Sequence, residues 1–172
     1  MEDGRIVRIG GIKFSEELVQ VTVAYKASSD SSIYELLRLI AEKDINIPFL
    51  CHSVVTRIPE SCFCVDRSQL YKVQQILNFS SFQNEHVEII PSVGTLTLFP
   101  HRNSYKILGL LMHFFGRHGF PVHSLGTSIS TIALNTDYIL LDEIAEKLQK
   151  VFELPENHAP FRQDFRLTQI QR

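Results

Sequence analysis

Residues 19–40 read V-Q-V-T-V-A-Y, then K-A-S-S-D-S-S, then I-Y-E-L-L-R-L-I. Val19–Tyr25 alternates apolar with polar side chains and is rich in β-branched residues, the period-two pattern of a strand with one buried face. The polar run Lys26–Ser32 breaks it. Ser32 and Glu35 have the spacing of a capping box, and Asp30 adds negative charge near the positive end of the helix that follows. Ile33, Leu36, Leu37 and Ile40 then recur at helical spacing and form one apolar stripe. Downstream, Ile45–Val55 is a second apolar, β-rich stretch, and Thr56–Ser61 reads as a turn. Cys62–Val65 is a third strand, and Asp66-x-x-Gln69 opens a helix with Leu70, Val73, Ile76 and Leu77 on one face. Val87–Ile90 closes the series with a fourth strand. The order β-α-β-β-α-β is the split βαβ, or ferredoxin-like, unit.

The pattern then recurs. Gly94–Pro100 reads as a strand, and the polar run His101–Ser104 leads into a helix ending near His118, with Gly119 as its stop. Phe120–Leu125 is strand-like, Gly126–Thr127 interrupts, Ser128–Leu134 is the next strand, Asn135–Asp137 a turn and Tyr138–Phe152 a helix. The two copies match best where Asp44–Leu50 parallels His118–Leu125, each after an amphipathic helix and before a strand pair. The expectation is an α+β chain of two tandem ferredoxin-like βαββαβ domains, with antiparallel sheets and helices on one face. The division is 5–90, 91–155 and a tail over 156–172. The helix from Ser104 to Phe115 is unusually apolar, which predicts packing on its sheet and against a second helix or subunit. In the tail, Phe161, Phe165, Leu167 and Ile170 stand among arginines, as a free end or as an arm that docks on a partner.

Composition narrows the function. Among 172 residues, 17 Lys+Arg against 19 Asp+Glu give a net charge of −2, which argues against phosphate-driven nucleic-acid binding. The strands SCFCV and SISTIAL carry one aromatic and no basic residue, against RNA stacking. No apolar run approaches the roughly 20 residues of a membrane helix, and the acidic start MEDGRIVRIGG does not read as a signal peptide. Three cysteines read as reduced thiols in a cytoplasmic protein, packed as small hydrophobes. His113 and His118 are five apart, off the i, i+4 spacing of a helical metal pair, and Cys62-x-Cys64 with Cys51 falls short of a four-ligand zinc site. No nucleophile elbow, P-loop or dinucleotide fingerprint occurs. The sequence therefore predicts no catalytic residue, no metal and no cofactor.

Three stretches carry a resemblance. Ile9–Phe14 followed by Leu18–Val23 is similar to the G-I-A-F-D…V-A-K-V-T-V entry of the C-terminal regulatory region of aspartate kinases. Asp44–Val54 resembles its I-N-I-D-M-x-x-Q-N element, and Gly119–Ser128 resembles x-V-N-I-E-x-I-S-T-S-E in a second copy. The resemblance runs from about Arg5 to Leu154 and names tandem ACT domains without the kinase. It implies a non-catalytic regulatory protein that binds a free amino acid (lysine or threonine in such kinases), as a homodimer, and that acts on a catalytic kinase partner. It also implies ligand contacts at Asp30, Ser31, Ser32, Asn46, Ile47, His52 and Ser53, and in the second copy at Thr127 and Ser128. The family's V-P-D-x-P-G loop here reads Lys26–Ser32, and its Gln-Asn pair reads His52–Ser53. Other readings stay open. Asp30, Ser31 and Ser32 are what a helix N-cap requires without any ligand, Thr127 and Ser128 are ordinary residues for a strand bulge, and the whole chain could be an ACT-fold dimerisation or interaction module without an effector pocket.

Overall fold

The computed structural model describes residues 7–25, 31–53, 59–79, 82, 85–99 and 105–156. The strands are β1 (Val7–Arg8), β2 (Gly11–Phe14), β3 (Leu18–Ala24), β4 (Phe49–Ser53), β5 (Glu60–Asp66), β6 (His86–Phe99), β7 (Ser124–Thr127), β8 (Ile132–Asp137) and β9 (Phe152–Glu153). The helices are α1 (Ser31–Glu42), α2 (Leu70–Phe79), α3 (Tyr105–His118) and α4 (Leu141–Leu148). They form two compact units, one of Glu17–Val93 and one of Met1–Glu16 with Gly94–Arg172. The segment before Glu17, read above with the first domain, thus belongs with the C-terminal half.

In the unit Glu17–Val93 the strand order is β4-β5-β3-β6, all neighbours antiparallel. Val19, Val21 and Val23 of β3 and Phe63 and Val65 of β5 share one face with Ile33, Leu36 and Ile40 of α1 and Val73, Ile76 and Leu77 of α2. The period-two and 3.6-residue stripes of the sequence meet there, so both helices cover one face of this sheet. Asp66 caps the next element: its Oδ1 accepts from the Ser68 amide at 2.8 Å and from the Ser68 hydroxyl at 2.5 Å. Glu17 accepts from Ser92 Oγ at 2.7 Å and from Arg67 at 3.2 Å.

Both carboxyls are thereby held below the usual carboxylate range, Asp66 mainly by the Ser68 hydroxyl and Glu17 mainly by the Ser92 hydroxyl, with Arg67 adding to it. A depressed folded pKa adds stability above the unfolded value, near pH 4, and the gain disappears as pH falls through the folded values. Urea unfolding from pH 7 to pH 2 should therefore show the Glu17→Gln/Asp66→Asn variant weaker than the parent at pH 7, with the gap closing in acid. A gap independent of pH would contradict this account.

The other unit has the order β2-β6-β8-β7. β2 pairs antiparallel with the end of β6, from Gly11 opposite Phe99 to Phe14 opposite Leu96, and Ser15 prolongs the ladder by donating its amide to Thr95 O at 3.0 Å. β1 and β9 form a short parallel pair. Ile12, Phe14, Leu96, Leu98, Ile132 and Leu134 face α3 and α4, which bring Ile107, Leu111, Phe114, Phe115, Leu141, Ile144 and Leu148. Here too the helices lie on one face. Most of the apolar side of α3 is used inside its own unit, and among its described side chains Met112 is the large hydrophobe left exposed, at 37%. Gly94 sits under α4, where an added Cβ would overlap Leu141 and lie 3.2 Å from Tyr138.

The two units end and restart their elements alike. α1 closes with Asp44 at φ 53° and α3 with Gly119 at φ 69°. In each, the next residue, Ile45 or Phe120, donates its amide back five positions, to Ile40 O or Phe115 O. This is the Schellman closure with its buried hydrophobic follower. β4 and β7 begin at the same distance beyond these caps, and Asp66 and Asp137 each precede a short 3-10 turn and then a helix. The two units thus share a helix closure and the spacing of the elements around it, although the residues differ.

Two expected boundaries change. The strands read at Val87–Ile90 and Gly94–Pro100 are one fourteen-residue strand, β6. The second hairpin is shifted: β7 runs through Gly126–Thr127, the turn follows at Ser128–Thr131, and Asn135–Asp137 are strand rather than turn. Asn135 and Thr136 are fully buried because each has partners. Asn135 accepts from Thr95 Oγ1 at 2.6 Å and donates to Ser124 Oγ at 2.7 Å, and Thr136 donates to Pro121 O at 2.7 Å. Satisfied polar groups can sit in a core that would reject them unpaired. The expected helix Tyr138–Phe152 is a 3-10 turn, α4 and then β9.

Candidate functional site

The sequence-selected residues fall at three places. Asp30 lies outside the described residues; Ser31 and Ser32 open α1, six and seven positions beyond Tyr25, which directly follows β3. The first N–H groups of a helix have no partner within it, which makes this end receptive to an anion. His52 and Ser53 end β4, opposite Ser61 and Glu60 of β5, at the same end of the sheet as Ala24, which faces Glu60. Asn46 and Ile47 precede the start of β4. The length of β4 separates them from Ser53 by roughly 13 Å at 3.3 Å per residue. The structure thus brings His52 to the end of the sheet where α1 starts, and leaves Asn46 and Ile47 at the other. Ile47 packs against the core of its unit, whereas Asn46 is exposed.

Alternation on β4 divides the pair at its end. His52 points to the helix-covered face with Ser61, and Ser53 to the opposite face. His52 Nδ1 lies 2.6 Å from Ser61 Oγ. The Tyr25 ring meets the His52 ring edge-on at 6.5 Å and the Phe82 ring at 6.2 Å. Tyr25 is 2% exposed, and its hydroxyl has no hydrogen-bond partner among the described residues. Burial pushes this phenol above its ordinary value; Ser61 opposes the shift and the Glu85 carboxylate reinforces it. The result is a small polar patch of Tyr25, His52 and Ser61 on an aromatic floor. It can accept and donate hydrogen bonds, and among the described residues no third group orients the His52–Ser61 pair as a nucleophile and its base would need.

Tyr25 and Ser61 were not singled out by sequence. The signal was present for Tyr25, because it continues the buried odd-numbered face of β3 and so carries a hydroxyl into the core.

In the other unit, Thr127 ends β7 and Ser128 opens the turn. Both are exposed. The Ser128 amide donates to Thr131 O at 2.8 Å, and its hydroxyl accepts from the amides of Thr131 and Ser130 at 3.1 and 3.3 Å. Ser128 is thus occupied in holding its own hairpin. Nearby, His123 Nε2 lies 2.7 Å from Asp137 Oδ1. Among the described residues no group of three or more His, Cys, Asp or Glu side chains could hold a metal ion, and no helix is long and apolar enough to cross a membrane.

No family model and no curated protein matches this sequence. Solved structures do match the fold. The ligand-free regulatory subunit of aspartate kinase from Thermus thermophilus superposes with a TM-score of 0.73 at 11% identity, over 84% of this chain and 99% of that one. The corresponding subunit from Thermus flavus gives 0.74 at 10% identity, over 85% and 99%. Aspartokinase III of E. coli, solved with lysine and aspartate, gives 0.61 at 13% identity, over 89% of this chain and 35% of that longer one. The fold of this chain is that of the regulatory part of aspartate kinases, nearly end to end with the separately solved regulatory subunits.

Proposed function

We propose that the chain is a non-catalytic regulatory protein built from two tandem ferredoxin-like domains of the ACT type, which binds a free amino acid. The domains are residues 17–93 and 94–155, with residues 7–16 completing the second and 156–172 as a tail. The observation that carries this reading is the duplicated unit itself: one strand order and one helix closure, used twice, in a fold shared over almost the full length of isolated regulatory subunits. The ligand's carboxylate is received at the start of α1 by Ser31 and Ser32, with Asp30 facing its ammonium. His52, backed by Tyr25 and Ser61, reads the side chain. Asn46 and Ser53 contribute from a second copy of the chain in a homodimer, while Ile47, packed on the core of its own unit, supports the turn that carries Asn46. Thr127 and Ser128 mark the equivalent, weaker position in the second domain. Ligand binding shifts the arrangement of subunits, or of a catalytic kinase partner, in the cytoplasm.

The second reading is an ACT-fold dimerisation module without an effector pocket. It is favoured by one observation, the use of Ser128's hydroxyl and amide within its own turn. A thermal-shift screen against the twenty amino acids separates the two. A ligand at a hundred times its dissociation constant adds about 2.7 kcal/mol, or roughly 5–11 °C in a domain of this size. The expected result is such a shift with one amino acid or a related pair, abolished in His52→Ala and Asp30→Ala, with the unliganded melting of each variant measured alongside. A dimer that responds to no amino acid would establish the module instead.

A further inference from the structure

All three cysteines of the chain lie on one face of the sheet in the unit Glu17–Val93, the face away from the helices. Cys51 stands directly opposite Cys62 on the antiparallel pair β4/β5, and Cys64 stands opposite Phe49. The Tyr25 amide donates to Pro59 O, so odd-numbered residues of β5 turn their backbone groups to β3 and even-numbered ones, Cys62 included, turn theirs to β4. Cys51 and Cys62 are therefore a hydrogen-bonded cross-strand pair, for which the Cα separation is about 5.5 Å. That falls inside the 4.4–6.8 Å range a disulfide requires. The competing pairs fit less well. Cys51 and Cys64 are diagonal, about 7–8 Å apart, and Cys62 and Cys64 point in parallel from one strand, about 6.6 Å apart. Cys51 and Cys62 are each partly exposed, whereas Cys64 is fully buried.

We infer that Cys51 and Cys62 form a reversible intrachain disulfide site that reacts with low-molecular-weight disulfides. One thiolate attacks the small disulfide, giving a mixed disulfide and releasing one small thiol. The facing cysteine loses its proton and attacks the protein sulfur of that intermediate, closing Cys51–Cys62 and releasing the second small thiol. The two cysteines are oxidised and one small disulfide is reduced to two thiols. Because both cysteines are partly exposed, an excess of small thiol can reach the bond and reverse the exchange. This inference is independent of amino-acid binding.

The test treats the purified full chain with oxidised glutathione, then with excess reduced glutathione. The expected product is a single polypeptide, not covalently joined to another and lighter by two hydrogen atoms, with one titratable thiol left in denaturant and a Cys51–Cys62 cross-link in the non-reducing peptide map. Reduced glutathione should restore three thiols. Cys51→Ser and Cys62→Ser should each block the cross-link, and Cys64→Ser should leave it intact. A stable glutathione adduct, a Cys62–Cys64 link, a link between chains or no reaction would each overturn the assignment.

Discussion

Phe115→Ala should lower the unfolding free energy by about 3–5 kcal/mol, the range for removing a fully buried aromatic ring, and the melting temperature by roughly 6–20 °C. Phe115 is 1% exposed on α3. Its ring meets Phe114 and Phe120 at 5.8 Å each, inclined by about 70°. Phe120 is also the residue that closes the helix, through its amide on Phe115 O. Truncation therefore opens a cavity at the place where helix closure and core packing meet, and removes one of the rings packed on the closing residue. The control is Tyr71→Ala, because Tyr71 is 70% exposed and should shift stability by less than about 0.5 kcal/mol. Urea unfolding of both variants decides the matter. A Phe115→Ala cost below about 1 kcal/mol would mean that this core is not packed as described.

Asn135→Leu should also be costly, for a different reason. The side chain is close in size, so the loss is of hydrogen bonds rather than of volume. Asn135 is completely buried and joins Thr95 on β6 to Ser124 on β7. Without it, the Thr95 hydroxyl, on a residue 7% exposed, loses its side-chain acceptor, which costs about 1–3 kcal/mol. The same argument predicts rescue. Thr95→Val in the Asn135→Leu background removes the stranded hydroxyl, so the double variant should be more stable than the two single effects add up to. Strict additivity in the double-mutant cycle would show that the pair is not coupled.

The legible part of the fold was the part written in apolar periodicity. The stripe Ile33, Leu36, Ile40 and the alternation of Val19, Val21 and Val23 led directly to α1, β3 and their common core. Gly119 was legible as the stop of α3, whereas the matching turn at Asp44 was not, because an aspartate does not announce a left-handed backbone as a glycine does. Three more things were hidden. Asn135–Asp137 has turn composition, and only a partner on β6, forty positions earlier, makes it strand. The unbroken β6 was hidden by Pro91 and Gly94, which read as an interruption. The assignment of β2 to the C-terminal unit rests on pairing over more than eighty positions, which no local pattern encodes. For the site, residue types placed His52 and Ser53 together, but strand alternation sends them to opposite faces. Tyr25 escaped notice because it reads as core until its hydroxyl is followed inward.

The pairing of β2 with β6 has a consequence for how the chain is made. On the ribosome, Ile12 and Phe14 are made roughly eighty residues before their strand partners Leu98 and Leu96. At about 5–20 residues per second, that leaves two large apolar side chains waiting on the order of 4–16 seconds before their sheet exists. Throughout that interval β2 is an adhesive strand with nothing of its own to join, and a chaperone that shields it until β6 has been made would raise the yield of folded protein.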